Sequence, residues 1–191
     1  MRLRLTRRQF ECTVTSALIF LLAVFAPHIV FAFEGETLEY AVKAAYLYKL
    51  GGFVEWPASA FASSNSPITL CVVGEDPFDG ILDKAVEGQH IGDHPIAVRR
   101  LKSVTHESGC QILYVGAADP RQVAQVLDVV HGSSVLTVTD TPEDSETGGV
   151  VHFVIKDNRV RFDINDQAAA ENGLVISSKL LSLAMSVKPR A

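Results

Sequence analysis

Ile68-Thr69-Leu70-Cys71-Val72-Val73-Gly74 is a run of apolar residues without polar alternation, ending in a glycine. A strand covered on one face alternates, whereas a strand buried on both faces does not, so this run reads as the first inner strand of a mostly parallel sheet. The pattern then repeats. Asp76-Pro77 opens a turn and a predicted helix carrying Phe78, Ile81, Leu82 and Ala85, and His94-Pro95-Ile96-Ala97-Val98-Arg99 follows as the next strand. Cys110-Gln111-Ile112-Leu113-Tyr114-Val115 is a third strand, Asp119-Pro120 caps a helix with Val123, Val126, Leu127 and Val130 at helical spacing, and Ser134-Val135-Leu136-Thr137-Val138 is a fourth strand. Strands alternating with helices predict an α/β fold, a mostly parallel sheet flanked by helices. Two β-rich runs at 149–155 and 159–164 flank Lys156-Asp157-Asn158, which predicts a C-terminal antiparallel hairpin. Asn165 and Ser177 are placed to cap two short final helices, the last containing Leu180, Leu181, Leu183 and Ala184.

Upstream of the sheet, residues 41–57 begin as a helix and end in a hard stop. Val42, Tyr46, Leu50 and Phe53 recur as an apolar stripe, and Glu39 with Lys43 forms an i,i+4 pair on another face. Pro57 cannot continue a helix and biases Trp56 toward an extended conformation. Trp56, the single tryptophan, reads first as a core plug and second as an interface anchor.

Residues 1–32 read as a signal peptide. Arg2, Arg4, Arg7 and Arg8 precede an uncharged, mostly apolar run at 14–25, and Val30-Phe31-Ala32 offers a small-residue cleavage site. Pro27 leaves that run short for a membrane span of about 20 residues, so an uncleaved anchor is the lesser reading. Thr6-Arg7-Arg8-Gln9-Phe10 resembles a twin-arginine signal, although the Leu-, Ile- and Phe-rich core fits general secretion better. The chain carries 17 basic and 22 acidic residues, a net charge of −5; without the four basic and one acidic residues of 1–32, the domain at 33–191 carries −8. That charge disfavours nucleic acid and anionic lipid as partners. The remaining length suits a single domain.

Cys12 leaves with the signal, so Cys71 and Cys110 remain. In an exported domain such a pair is most simply a disulfide, worth roughly 4 kcal/mol for a loop of about 40 residues; a redox-responsive pair is the sharper alternative. No catalytic set accompanies it. His90 and His94 have metal-compatible spacing but flank a turn. Gly51-Gly52 and Gly148-Gly149 lack the spacing of a phosphate cradle, and the acidic stretch at 139–147 does not follow the EF-hand order. Cysteines 39 positions apart without Cys-x-x-Cys argue against a thiol oxidoreductase. Neither an enzyme nor a cofactor or metal is expected.

Six blocks carry a resemblance. They are Tyr46-Leu47-Tyr48 through Phe53-Val54-Glu55-Trp56-Pro57, residues 70–78 beginning Leu70-Cys71-Val72-Val73-Gly74, Cys110-Gln111-Ile112-Leu113-Tyr114, Gly148-Gly149, Val160-Arg161-Phe162-Asp163-Ile164-Asn165, and residues 174–181 beginning Leu174-Val175-Ile176-Ser177. In this order and spacing, from about residue 37 to the end, they resemble the YfiR family of bacterial periplasmic regulators. The resemblance implies a small periplasmic α/β protein that binds the periplasmic sensor region of an inner-membrane diguanylate cyclase and holds it inactive. It also implies release linked to an outer-membrane lipoprotein and redox stress, and a homodimer. A second cysteine pair near Gly148-Gly149 is missing here, where Ser145 and His152 stand instead. Arg161 and Asp163 alternate with Val160, Phe162 and Ile164 and point away from the apolar face, toward solvent or a partner. The competing reading is a periplasmic small-molecule sensor, with its ligand beyond the carboxyl ends of the strands, where the loops after Gly74 and Val115 lie.

Overall fold

A computed structural model describes residues 30–117, 119–140 and 149–190, with side chains from Leu38 onward. Most of the proposed signal and acidic residues 141–147 lie outside the described residues; the expected cleavage position after Ala32 falls in the first turn of helix α1 (Val30–Gly51). Among the described residues no helix is long and apolar enough to cross a membrane.

The compact unit runs from Leu38 to Ala191. After α1 come β1 (Val54–Glu55), β2 (Ile68–Gly74), α2 (Gly80–Val86), β3 (His90–Ile91), β4 (His94–Leu101), β5 (Ile112–Gly116) and α3 (Pro120–Val130). Then follow β6 (Leu136–Thr139), β7 (Val151–Lys156), β8 (Arg159–Asn165), α4 (Asp166–Glu171), β9 (Val175–Ile176), α5 (Ser178–Leu181) and β10 (Val187–Lys188). Eight strands form one mixed sheet in the order β10-β8-β7-β6-β5-β2-β4-β3, antiparallel only at β7–β8 and β3–β4. The α/β class, the dominance of parallel pairing and the C-terminal hairpin are as the sequence predicts.

Register divides the core in two. Leu70, Ile112, Leu136 and Phe153 share the face under α1 and α2, whereas Cys71, Val73, Leu113 and Val115 share the opposite face under α3. β2 is followed in sequence by β4 on one side, and β5 by β6 on the other, so the crossovers diverge in opposite directions from the β2–β5 pair. Right-handed crossovers running in opposite directions place their helices on opposite faces, which is where α2 and α3 lie.

The β2–β5 pair is sealed twice. Gly74, at φ +84°, lies against Gly116, and the Glu75 N–H donates to the Gly116 carbonyl at 2.6 Å. A Cβ on Gly74 would fall 2.0 Å from the Gly116 oxygen, and one on Gly116 1.9 Å from the Glu75 oxygen. Only glycine fits either position. At the other end of the pair, Cys71 and Cys110 form a buried disulfide with a Cα–Cα distance of 5.8 Å.

Local capping follows sequence closely. Asp119 accepts from the Arg121 N–H, Asn165 from Ala168 and Ser177 from Leu180. Three expectations need correction, and short strands appear that no expectation covered. The helix expected after Asp76-Pro77 starts only at Gly80, because Asp76 Oδ1 accepts from the Phe78 N–H in a local turn that drives Phe78 into the core. The last helix stops at Leu181, so Leu183 and Ala184 lie beyond it. Val54–Glu55 is a strand, paired antiparallel with Val175–Ile176 in a second small sheet, and β10 adds an edge strand beside β8. Finally, the apolar stripe of α1 is offset: Ala44, Leu47 and Leu50 are buried, while Val42, Tyr46 and Phe53 are only partly covered.

Two measurements test this frame. Gly116→Ala is expected to cost about 3 kcal/mol or more in urea unfolding, because backbone must move, whereas Gly80→Ala, in open space at a helix start, is neutral or stabilising by up to about 1 kcal/mol. Equal effects at the two sites would disprove the close-approach account. Cys110→Ser is expected to lower stability by roughly 4 kcal/mol and to reduce the protein's abundance rather than change its partner affinity. A mutant at full abundance with altered affinity would instead mark a redox switch.

Candidate functional site

Lys43 is the first residue whose placement departs from its local pattern. Its side chain is 2 % exposed, deeper than any surface i,i+4 pair requires. Lys43 Nζ bonds Glu39 on the same helix and donates to Asp140 Oδ2 at 2.7 Å, 97 positions away at the end of β6. The ammonium also lies 4.9 Å from the centroid of the Tyr40 ring. Tyr114, buried on β5, donates its hydroxyl to the same Asp140 oxygen at 3.4 Å. Tyr40, Phe78 and Tyr114 pack edge to face around this cluster. Helix α1 is thereby held on the carboxyl ends of β5 and β6.

Burial alone would lower the Lys43 pKa, but the hydrogen bonds and charges of Asp140 and Glu39 outweigh it and raise the group above its usual value. Tyr114 is pushed up first by burial and then by the negative charge of Asp140. Beside it, Pro77, Glu75 and Asp140 join Tyr40 and Tyr114 in lining an acidic, aromatic cleft of about 230 Å³. Arg100 closes the neighbouring loop, binding Asp83 at 2.7 Å and Asp76 at 2.6 Å.

A second feature lies between the end of α1, β8 and α5. Tyr46, Leu50, Phe53, Phe162, Leu180 and Leu183 line an apolar groove of about 200 Å³, and Leu183 is 58 % exposed. Lys49 and Arg161 also line it, and the Lys179 ammonium lies 5.8 Å from the Phe53 ring. All three cations are exposed, and among the described residues none has an acidic partner within ion-pairing distance. On a chain of net charge −5, an unpaired basic rim around an apolar groove is a local reversal of sign.

The three residues singled out as partner contacts therefore separate. Arg161 borders the groove. Asp163, two positions on, accepts from the Ser186 N–H at 2.9 Å and anchors the segment leading to β10. Trp56 is partly buried away from the groove lining, edge to face with Phe61, and its Nε1 is enclosed without a hydrogen-bond partner among the described residues. Of the histidines weighed as ligands, His94 stacks on Phe61 at 4.3 Å and engages the Ser66 carbonyl through Nδ1. Among the described residues no group of three or more His, Cys, Asp or Glu side chains is arranged to hold a metal. The groove was not legible as a site, although exposed Leu183 beyond the last helix was the available signal.

The buried cluster yields a pH prediction. Both Lys43 and Tyr114 have raised values in the folded state, so their contribution is fully present below about pH 10 and is lost as pH rises further. Lys43→Met is expected to cost about 2–4 kcal/mol at neutral pH, toward the lower side for a broken buried pair because Glu39 and Asp140 keep some water. The gap to wild type should narrow in urea melts above about pH 10, and Tyr114→Phe should flatten the wild-type loss there. A gap that stays constant into strong alkali would show that the charge of Lys43 contributes nothing.

A YfiR/HmsC-like family model matches residues 40–185, which takes in the second half of α1 with Lys43, the whole β2–β6 core, the hairpin and the groove. The match spans well over half of the chain, and the chain belongs to the YfiR/HmsC-like family.

Proposed function

We propose that this protein is a non-enzymatic inhibitor that binds the periplasmic sensor region of an inner-membrane diguanylate cyclase and lowers cyclic di-GMP and biofilm formation. Family membership supports the coarser statement, a periplasmic regulator of diguanylate cyclase signalling, regulatory rather than catalytic. Export by the signal at 1–32 brings the domain at 33–191 to that compartment, and the disulfide is consistent with it.

The observation that carries the finer reading is the apolar groove with its unpaired basic rim. Apolar surface at the centre of a contact supplies affinity, and rim charges supply orientation and encounter rate. A partner surface matching it presents apolar side chains bordered by carboxylates. In this reading Arg161 touches the partner, Asp163 holds the adjacent C-terminal segment in place, and Trp56 acts through packing rather than contact. An outer-membrane lipoprotein that releases the cyclase and a homodimeric state belong to the same proposal, resting on the family.

A second reading, a small-molecule sensor, is favoured by clefts at the carboxyl ends of the parallel strands. The two readings are compatible, because a ligand that prefers one conformation shifts partner affinity.

Arg161→Glu and Leu183→Asp are each expected to weaken binding to the periplasmic portion of the cyclase by about tenfold or more, with an unchanged melting temperature. Titration by calorimetry measures the first and thermal unfolding the second. Wild-type affinity in both variants would remove the groove from the interface, and absence of any binding by the wild-type protein would end the inhibitor reading.

A further inference from the structure

The segments leaving the carboxyl ends of β2 and β5 open a crevice on the α3 face of the sheet, distinct from the groove described above. In open α/β sheets this divergence of crossovers is where ligands bind. Here it forms a cleft of about 290 Å³, just below the roughly 300–1,000 Å³ of small-molecule sites and enough for a small ligand. Its inner wall is apolar: Val73 and Val115 are 4 % and 2 % exposed, and Val126 of α3 is partly buried against them. Its exposed lining carries Lys102, Gln122 and Gln125.

The polar lining is selective in sign. Among the described residues no carboxylate lines this cleft and Lys102 has no acidic partner. The Gln122 and Gln125 amides carry both donors and acceptors, so the sign is set by Lys102. On the other side of Gly116 and Ala117, which border both cavities, the cleft under α1 carries Glu75 and Asp140. An anion is thus favoured on the α3 face and repelled on the α1 face. The β2–β5 floor is tied, since the Gly74–Gly116 contact closes its base and the disulfide links the same two strands. The α3 N-terminus is not the anion site, because Asp119 already caps it.

We infer that the crevice between β2, β5 and α3 binds a small amphipathic organic acid, with its apolar body on the Val73–Val115–Val126 wall and its carboxylate at Lys102. The inference rests on the sensor reading, to which it gives a ligand class, and is independent of the cyclase reading; its readout needs no partner.

The test titrates the purified protein with hexanoate and, separately, with hexylammonium, following backbone amide shifts by NMR. Hexanoate is expected to give saturable shifts centred on Gly74, Val104, Gly116 and Val126, and hexylammonium to bind about tenfold more weakly or not at all. Lys102→Glu, an exposed change, should weaken hexanoate about tenfold or more without altering thermal unfolding, and Val126→Phe should fill the cleft and abolish the shifts. The inference is overturned by any of three results: no saturation up to about 10 mM, equal binding of the two probes, or hexanoate affinity unchanged in Lys102→Glu.

Discussion

The contact between β2 and β5 is the constraint on which the rest of the molecule depends. Two parallel strands that launch their crossovers in opposite directions must sit side by side at their carboxyl ends while their connections part. Gly74 and Gly116 permit that approach because neither carries a Cβ, and the Glu75 N–H bonds across it. The Cys71–Cys110 bridge fastens the same pair from the opposite end. With this seam in place, α2 and α3 are assigned to opposite faces, and the crevices above the seam follow as a geometrical consequence.

Helix α1 is fastened to this frame by a polar rather than an apolar device. A buried ammonium shared between Glu39 and Asp140, with the Tyr114 hydroxyl beside it, is expensive to desolvate and costly to break. An apolar contact would tolerate small shifts of the helix along the sheet. A hydrogen-bonded ion pair does not, because its geometry is directional and the alternative is an unpaired buried charge. The end of the same helix, past Tyr46 and Leu50, forms one wall of the groove proposed to meet the cyclase. Fixing the helix at Lys43 therefore also fixes the shape of that wall.

Charge is distributed to match these roles. The chain is acidic overall, which favours solubility and disfavours anionic surfaces, yet Lys49, Arg161 and Lys179 cluster around exposed Leu183. Asp163, two positions from Arg161, is engaged by the Ser186 N–H, and among the described residues no acid lines the groove. Leaving a basic rim unpaired forgoes surface ion pairs that contribute only about 0–1 kcal/mol each, a small cost for the surface proposed to meet the cyclase.

Much of this protein was written locally. The unbroken apolar run at 68–74 specified an inner strand; Asp119, Asn165 and Ser177 specified helix starts; Lys156-Asp157-Asn158 specified the hairpin, with Asp157 and Asn158 both at positive φ. These features depend on neighbours within a few positions, so periodicity and capping chemistry reveal them. The burial of Lys43, the pairing of Val54–Glu55 with Val175–Ile176, the edge strand at Val187–Lys188 and the groove beside Arg161 depend on residues far apart in the chain. Two-residue strands carry no period of their own, and a lysine at an i,i+4 spacing from a glutamate reads as a surface pair until a distant aspartate turns it inward. Side-chain burial is a property of what packs on top, and only the tertiary structure supplies that.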